Sequence, residues 1–190
     1  MSDDRPRQAQ TRKIPKRVSA SYLENSALRY LERFASSTAN LRRVLMRKVT
    51  ASAQEHGTDP AEGAAFIETL IERYVRAGIL NDDTYARMRA ETLHRRGASS
   101  RAIREKLAVK GIARDDTDRV LSELAEDVEA DLDVTAALAL ARRRKLGPYR
   151  LPEQRGAFRD KDLAALGRAG FSYAIARQVV DAEDPDSIFD

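Results

Sequence analysis

Side chains able to do covalent or acid–base chemistry are scarce in this chain and poorly spaced for it. It holds two histidines, His56 and His94, and no cysteine. Disulfides, thiolate zinc sites and cysteine nucleophiles are therefore excluded, and the composition suits a reducing compartment. The histidines fall in separate helical segments with no paired carboxylate, and His94, in His94-Arg95-Arg96, reads as a helix-end cation. Asp115, Asp116 and Asp118 lack the glycine and closing glutamate of a calcium loop. They read as helix-capping carboxylates, as do Asp82 and Asp83 within Asn81-Asp82-Asp83, a run that can cap one helix. Neither glycine-rich phosphate-loop pattern occurs. The residues thus suggest no catalytic group, no metal ligand and no cofactor, and the expectation is a protein that is not an enzyme.

Positive charge, by contrast, comes in runs. Arg42, Arg43, Arg47 and Lys48 form one, and Arg101, Arg104, Lys106 and Lys110 another; a third is Arg142-Arg143-Arg144-Lys145. Arg95 and Arg96 add a helix-end pair. The stretch from Asp115 to Asp133 carries nine carboxylates. Alternating basic and acidic surfaces suit a partner that is itself charged and periodic. The net charge of +4 resides in residues 1–17, with six basic and two acidic side chains, and the rest balances at 28 of each.

These runs must be positioned by helices. Ala, Arg, Leu and Glu dominate, glycine and proline are few, and aromatics are 6%; this is helix-forming composition. Residues 1–19 read as a disordered basic arm without an apolar signal segment, and no run is long enough to span a membrane, so a cytoplasmic protein is expected. Helical spacing then begins. Leu23, Ala27, Leu31 and Phe34 mark one helix; Leu41, Val44, Leu45 and Val49 a second, opened by Ser36–Thr38; Ile67, Leu70, Ile71, Tyr74 and Val75 a third, stopped at Gly78. The cycle restarts with Tyr85, Met88 and Leu93, then Ile103 and Leu107, then Val120, Leu121 and Leu124. It restarts again with Val134, Ala137, Leu138 and Ala141, a longer loop holding Gly147-Pro148 and Gly156, then Leu163 and Leu166, and last Ile175 and Val179. A shift of 62 residues lays Ser37, Leu41, Arg42, Leu45 and Lys48 on Ser99, Ile103, Arg104, Leu107 and Lys110. A further shift of 59 lays Gly111, Ile112 and Val120 on Gly170, Phe171 and Val179. The expected fold is all-α, with tandem three-helix repeats over 20–78, 79–132 and 133–182 in an elongated, curved array, and an acidic tail over 183–190.

With these stretches in view, the chain resembles the RecX family of bacterial recombination regulators. The resemblance rests on Ala27-Leu28-Arg29-Tyr30-Leu31 with Ser37, Leu41-Arg42, Leu45 and Lys48. It rests also on Gly78-Ile79-Leu80-Asn81-Asp82 with Tyr85-Ala86, leading to Gly97, Ser99, Ile103, Leu107 and Lys110-Gly111-Ile112, and on Gly170-Phe171-Ser172-Tyr173. It departs from the family pattern at Phe34-Ala35, Asn40 and Val49. The resemblance implies a tandem of three-helix repeats that binds the RecA recombinase in the groove of its filament on DNA, and a monomer is expected. It further implies inhibition of ATP hydrolysis and strand exchange, and so modulation of recombination and DNA repair. The basic runs would then touch filament acids or the phosphates of single- or double-stranded DNA. A competing reading takes Gly97-Ala98-Ser99-Ser100-Arg101, leading into Ile103 and Leu107, as a helix-turn-helix that reads bases. Against it stand the lack of an obvious dimerisation helix and, on the candidate recognition helix, of any Asn or Gln to pair with adenine.

Overall fold

The computed structural model describes residues 14–128, 131–185 and 188, so most of the expected N-terminal arm and part of the acidic tail lie outside the described residues. Every described element is helical. They are α1 (Ala20–Leu31), α2 (Thr38–His56), α3 (Pro60–Arg76), α4 (Asp82–Arg95), α5 (Ser100–Val109), α6 (Arg114–Glu126), α7 (Leu132–Arg144), α8 (Pro152–Arg168) and α9 (Tyr173–Val180), with a 3-10 turn at Gly147–Tyr149. They divide into two compact units: residues up to Phe34 with Leu41–Ala77, and Ala35–Asn40 with Gly78 onward. The architecture is all-α, with three-helix units repeated.

In the first unit, Leu23, Ala27, Leu41, Leu45, Val49, Ile67, Leu70, Ile71 and Tyr74 are buried. Of the other expected core residues, Leu31 and Val44 are half-buried and two are exposed. Phe34 is 52% exposed because α1 ends at Leu31, and Val75 is 48% exposed at the edge of the α3 stripe. Val49 finds room because Gly63 faces it; a Cβ at Gly63 would come within 2.6 Å of a Val49 methyl. Part of the expected arm is held down, since the Val18 N–H donates to Ser52 Oγ at 2.9 Å and His56 Nε2 donates to the Pro15 carbonyl at 2.7 Å.

The second unit contains two three-helix groups, each with its own apolar core. Leu93, Ile103, Leu107, Ile112, Val120 and Leu121 centre the first, and Leu138, Leu140, Leu166, Phe171, Val179 and Val180 the second. Both close their middle helix the same way. Gly111 (φ +80°) and Gly170 (φ +94°) follow α5 and α8 in the left-handed region. Ile112 N–H then reaches back to Leu107 O at 3.1 Å, and Phe171 N–H to Leu166 O at 3.3 Å, which drives both apolar side chains into the core. Met88, expected inside, is 51% exposed on the far side of α4. Gly156, expected in a loop, lies within α8, whose start at Pro152 gains from the preset φ of proline.

Capping is more selective than expected. Of Asn81, Asp82 and Asp83, it is Asn81 that caps α4, accepting from Thr84 N–H at 2.9 Å, and Ala113 precedes α6 with no side-chain cap. Asp82, Asp83, Asp115 and Asp116 sit one to three positions past the cap, in the first turn, where they favour the helix dipole. Arg119 Nη2 reaches Asp83 at 2.6 Å, and Arg104 Nε reaches Asp118 at 2.6 Å.

A joint of side-chain hydrogen bonds recurs along the second unit. Ser99, the cap of α5, donates its hydroxyl to the Ala169 carbonyl at 2.9 Å, and Ser100 gives both its N–H and its hydroxyl to Asp133. Ser37 likewise donates to the Lys110 carbonyl, and Thr38 gives N–H and hydroxyl to Asp82 at 2.8 and 2.6 Å. Both carbonyls belong to the residue before a left-handed glycine. A Cβ at Gly111 would meet Ala39, and one at Gly170 would meet Ser99 Oγ at 2.6 Å. Serine, aspartate and glycine therefore form one packing device used twice.

Candidate functional site

The arginines that keep phase between repeats are engaged inside their own units. Arg42 makes a bidentate contact with Glu68 on α3, at 2.6 and 2.7 Å, which holds the Glu68 carboxyl below its usual range. Arg104 joins α5 to α6 through Asp118, whose carboxyl is likewise lowered, first by that hydrogen bond. Arg159 does the same between α8 and the end of α9, meeting Asp181 at 2.6 and 2.7 Å. Each pair ties a middle helix to the helix after it. The periodic Arg signal thus tracks internal bracing, and because each pair is half exposed, solvent screening keeps its contribution small.

Other expected site residues scatter. Lys110 donates to Asn40 Oδ1 at 3.0 Å, and Arg101 pairs with Glu105 one turn on. In the first unit, Lys48 lies over the Tyr22 ring at 5.5 Å and lines a shallow depression with Arg47, while Arg43 points to solvent. Arg142 and Lys145 face a surface hollow beside Pro148 and Tyr149, and Arg95 is exposed. His94, expected to be a helix-end cation, is buried instead, and its Nε2 donates to the Leu132 carbonyl at 2.8 Å.

Four of the expected residues do converge. Arg96 ends α4, Lys106 lies on α5, and Arg143 and Arg144 end α7; all four line one groove of about 470 Å³ in the second unit. Two cations unforeseen from the sequence join them, Arg89 on α4 and Arg168 at the end of α8. Neither belongs to a basic run, so only the helix axes could reveal them. Gly97 makes the convergence possible. Its φ is +77°, and a Cβ there would stand 2.5 Å from the Leu140 backbone nitrogen. The α4–α5 turn is thus pressed onto the α7 backbone, and the Ser99–Ala169 bond brings Arg168 alongside.

The groove is lined by six basic and no acidic side chains. Elsewhere in this unit Arg87, Arg104, Arg119, Arg150, Arg159 and Arg177 all meet carboxylates. Among the described residues no ion pair involves any of the six groove cations. The ends of α4, α7 and α8 point here, each with roughly −0.5 of dipole charge, so most of the positive charge is uncompensated. What such a groove can do is bind an anion of several charges.

Sequence reading also missed a buried brace. Asp162 is 1% exposed and accepts from Arg150 Nε at 2.7 Å, Arg150 Nη2 at 2.8 Å and the Gly147 N–H at 2.9 Å. Burial pushes its carboxyl up, but the Arg150 and Gly147 bonds outweigh it and leave the carboxyl below its usual range. The Arg150 guanidinium also stacks 4.4 Å from the Phe158 ring centroid. This pair locks the 3-10 turn onto α8 and is structural. Among the described residues no cluster of three or more His, Asp or Glu could hold a metal ion. No described helix is long and apolar enough to cross a membrane.

Comparison with known proteins gives a consistent result. Residues 81–121 match the family model described as RecX, second three-helix domain. The chain is 42% identical to regulatory protein RecX of Myxococcus xanthus (strain DK1622), covering 90% of each chain. It is 32% identical to regulatory protein RecX of Agrobacterium fabrum, over 86% of this chain and 87% of that one. A crystal structure of regulatory protein RecX superposes with a TM-score of 0.57 over 86% of this chain and 72% of the other; at 20% identity this likeness concerns the fold. Identity at this level over nine-tenths of both chains, with the family-model match, places the chain in the RecX family.

Proposed function

We propose that this chain is a regulator of the RecA recombinase, binding the RecA filament on DNA and inhibiting its ATP hydrolysis and strand exchange. The observation that carries the reading is kinship over 90% of the chain with a regulatory protein RecX. The surface agrees with it. Braced helices present exposed cations such as Arg43 and Arg47 in the first unit, and Arg95, Arg142 and Lys145 in the second. Such a surface recognises a target by spread charge and shape, with affinity distributed over many weak contacts. Arg42, Arg104 and Lys110 contribute by holding the helices in register.

The test is direct. Purified chain is added to RecA on single-stranded DNA, and ATP turnover and filament length are followed together. Both should fall at substoichiometric or equimolar chain. Unchanged turnover and length at excess chain would refute the reading. Sequence-specific duplex binding that needs no RecA would favour a base-reading helix-turn-helix role for the 97–107 segment instead.

A further inference from the structure

Among the described residues other than glycine, Lys145 alone lies in the left-handed region, at φ +55°. It closes α7 by the same turn with which Gly97 closes α4. Gly97 N–H reaches His94 O and Ala98 N–H reaches Leu93 O; Lys145 N–H reaches Arg142 O and Leu146 N–H reaches Ala141 O. Glycine adopts this conformation without strain and lysine does not, so the lysine is held here against a backbone penalty. Strain at one copy of a repeated turn points to a use for the side chain. Lys145 and Arg142 are exposed and face a hollow of about 670 Å³ walled by Pro148, Tyr149, Leu151 and Pro152. Among the described residues no ion pair involves either cation, and Leu151 is 59% exposed.

We propose that this hollow is the docking site of the chain's own acidic tail, residues 182–190, which thereby shields Lys145 and Arg142 from external partners. The occupant must bring carboxylates to the two cations and apolar side chains to Leu151 and the prolines. Residues 181–190 hold five carboxylates, no basic side chain, and the apolar pair Ile188-Phe189. The packing also delivers this segment to the wall of the hollow. Arg159 clamps Asp181 at the end of α9. Two residues on, the Glu183 carbonyl accepts from Arg155 Nη1 at 2.6 Å, while Nη2 of the same guanidinium donates to the Pro148 carbonyl at 2.7 Å. Tail and wall thus meet on one side chain. Ile188 packs against the same apolar cluster as Tyr149. A segment tethered this closely acts at a millimolar effective concentration, so a few weak contacts suffice to hold it. The docking stands on this geometry alone; its consequence for RecA rests on the regulatory reading.

The experiment is acylation of the full chain by an N-hydroxysuccinimide ester, with the rate at Lys145 read by mass spectrometry against Lys106 in the same molecules. Glu183→Gln, Asp184→Asn, Asp186→Asn and Asp190→Asn together remove charge from the tail and leave Asp181 on Arg159. Lys145 should then react about threefold to tenfold faster than in the parent, with Lys106 unchanged. Glu55→Gln, Glu72→Gln, Glu126→Gln and Asp127→Asn make the same charge change elsewhere and should leave Lys145 within about twofold of the parent. A converse variant, Lys145→Gly with Arg142→Gln, removes both cations and suits the left-handed turn. Hydrogen exchange over residues 182–190 should quicken in it by about threefold or more. Circular dichroism checks folding throughout.

Lys145 reactivity that ignores the charge of the tail overturns the proposal, as does an equal gain from the control set. So does tail exchange indifferent to the loss of Lys145 and Arg142. Protection of Lys145 that appears only on adding polyglutamate or an oligonucleotide gives the hollow to an external partner and overturns it too. In the RecA assay, the neutral-tail chain should inhibit at a concentration about threefold to tenfold below that of the parent. A parent that inhibits, with no gain from unmasking Lys145, overturns the shielding. If neither chain alters RecA turnover, the regulatory reading fails by itself, and the acylation rates still decide the docking.

Discussion

Replacing Gly97 with alanine tests the close approach on which the basic groove depends. Two costs add at this position. An L-residue at φ +77° is strained by roughly 1–2 kcal/mol. The new Cβ would also lie 2.5 Å from Leu140 N and 2.8 Å from its Cα, inside a helix that cannot give locally. Overpacking of this kind costs about 1–3 kcal/mol. Gly78 supplies the matched control, because its φ is +70° and nothing lies within 4 Å of its missing Cβ. Both glycines belong to the second unit, and the unfolded-chain entropy lost on substitution is common to both and cancels. Urea unfolding followed by circular dichroism should therefore place Gly97→Ala below Gly78→Ala by about 1–3 kcal/mol. Equal midpoints for the two variants would refute the claim that contact between this turn and α7 is tight enough to position the cations.

Asp162→Asn strips the charge from a carboxylate that is 1% exposed and leaves Arg150 unmatched, so it should cost about 3–5 kcal/mol in urea unfolding. Arg150→Met with Asp162→Leu should recover most of that loss, and failure to recover would count against a charge-pairing role. The Asp162, Asp181 and Glu68 carboxyls are all held below their usual range in the folded chain. Their stabilisation is present in full above the unfolded carboxylate pKa, about 4, and is lost as pH falls through the lower folded values. Stability should hold from neutrality to about pH 5 and drop below about pH 4, less steeply in Asp162→Asn; a pH-independent urea midpoint would contradict the assignment. Ser99→Ala removes both a helix cap and the bond to Ala169, and should cost about 1–2 kcal/mol. Ser172→Ala removes a cap bond to Ile175 only, and should cost visibly less when the two are compared in one titration.

Much of the scaffold is written in local signals, because helix periodicity and capping act over three or four residues. Leu23, Leu41, Ile67, Ile103, Leu107, Val120 and Val179 fall on one-dimensional apolar stripes and are all buried. Gly78, Gly97 and Gly111 mark helix ends because only glycine enters the left-handed region without strain. The repeat itself is legible through Ser37 and Ser99, which perform the same hydrogen bond. Errors arise at stripe edges and in capping. Phe34, Val75 and Met88 satisfy the spacing but sit just beyond a helix end or a face. Asp82 and Asp115 satisfy cap chemistry one and two positions too late to act as caps.

The site divides along the same line. Basic runs announce where cations are dense, and Arg96, Lys106, Arg143 and Arg144 were visible on that ground. Whether a cation is spent internally depends on what crosses it. Arg42 and Arg104 look like their neighbours in sequence, yet meet Glu68 and Asp118 from helices 14 or more residues away. Arg89 and Arg168 carry no local signal at all, and enter the groove because a glycine without a Cβ lets one turn rest on the backbone of α7. Helix identity and phase are short-range properties of the chain. Which helix ends converge, and which charges they leave unpaired, is set by contacts between segments far apart in sequence, and only the packed structure determines it.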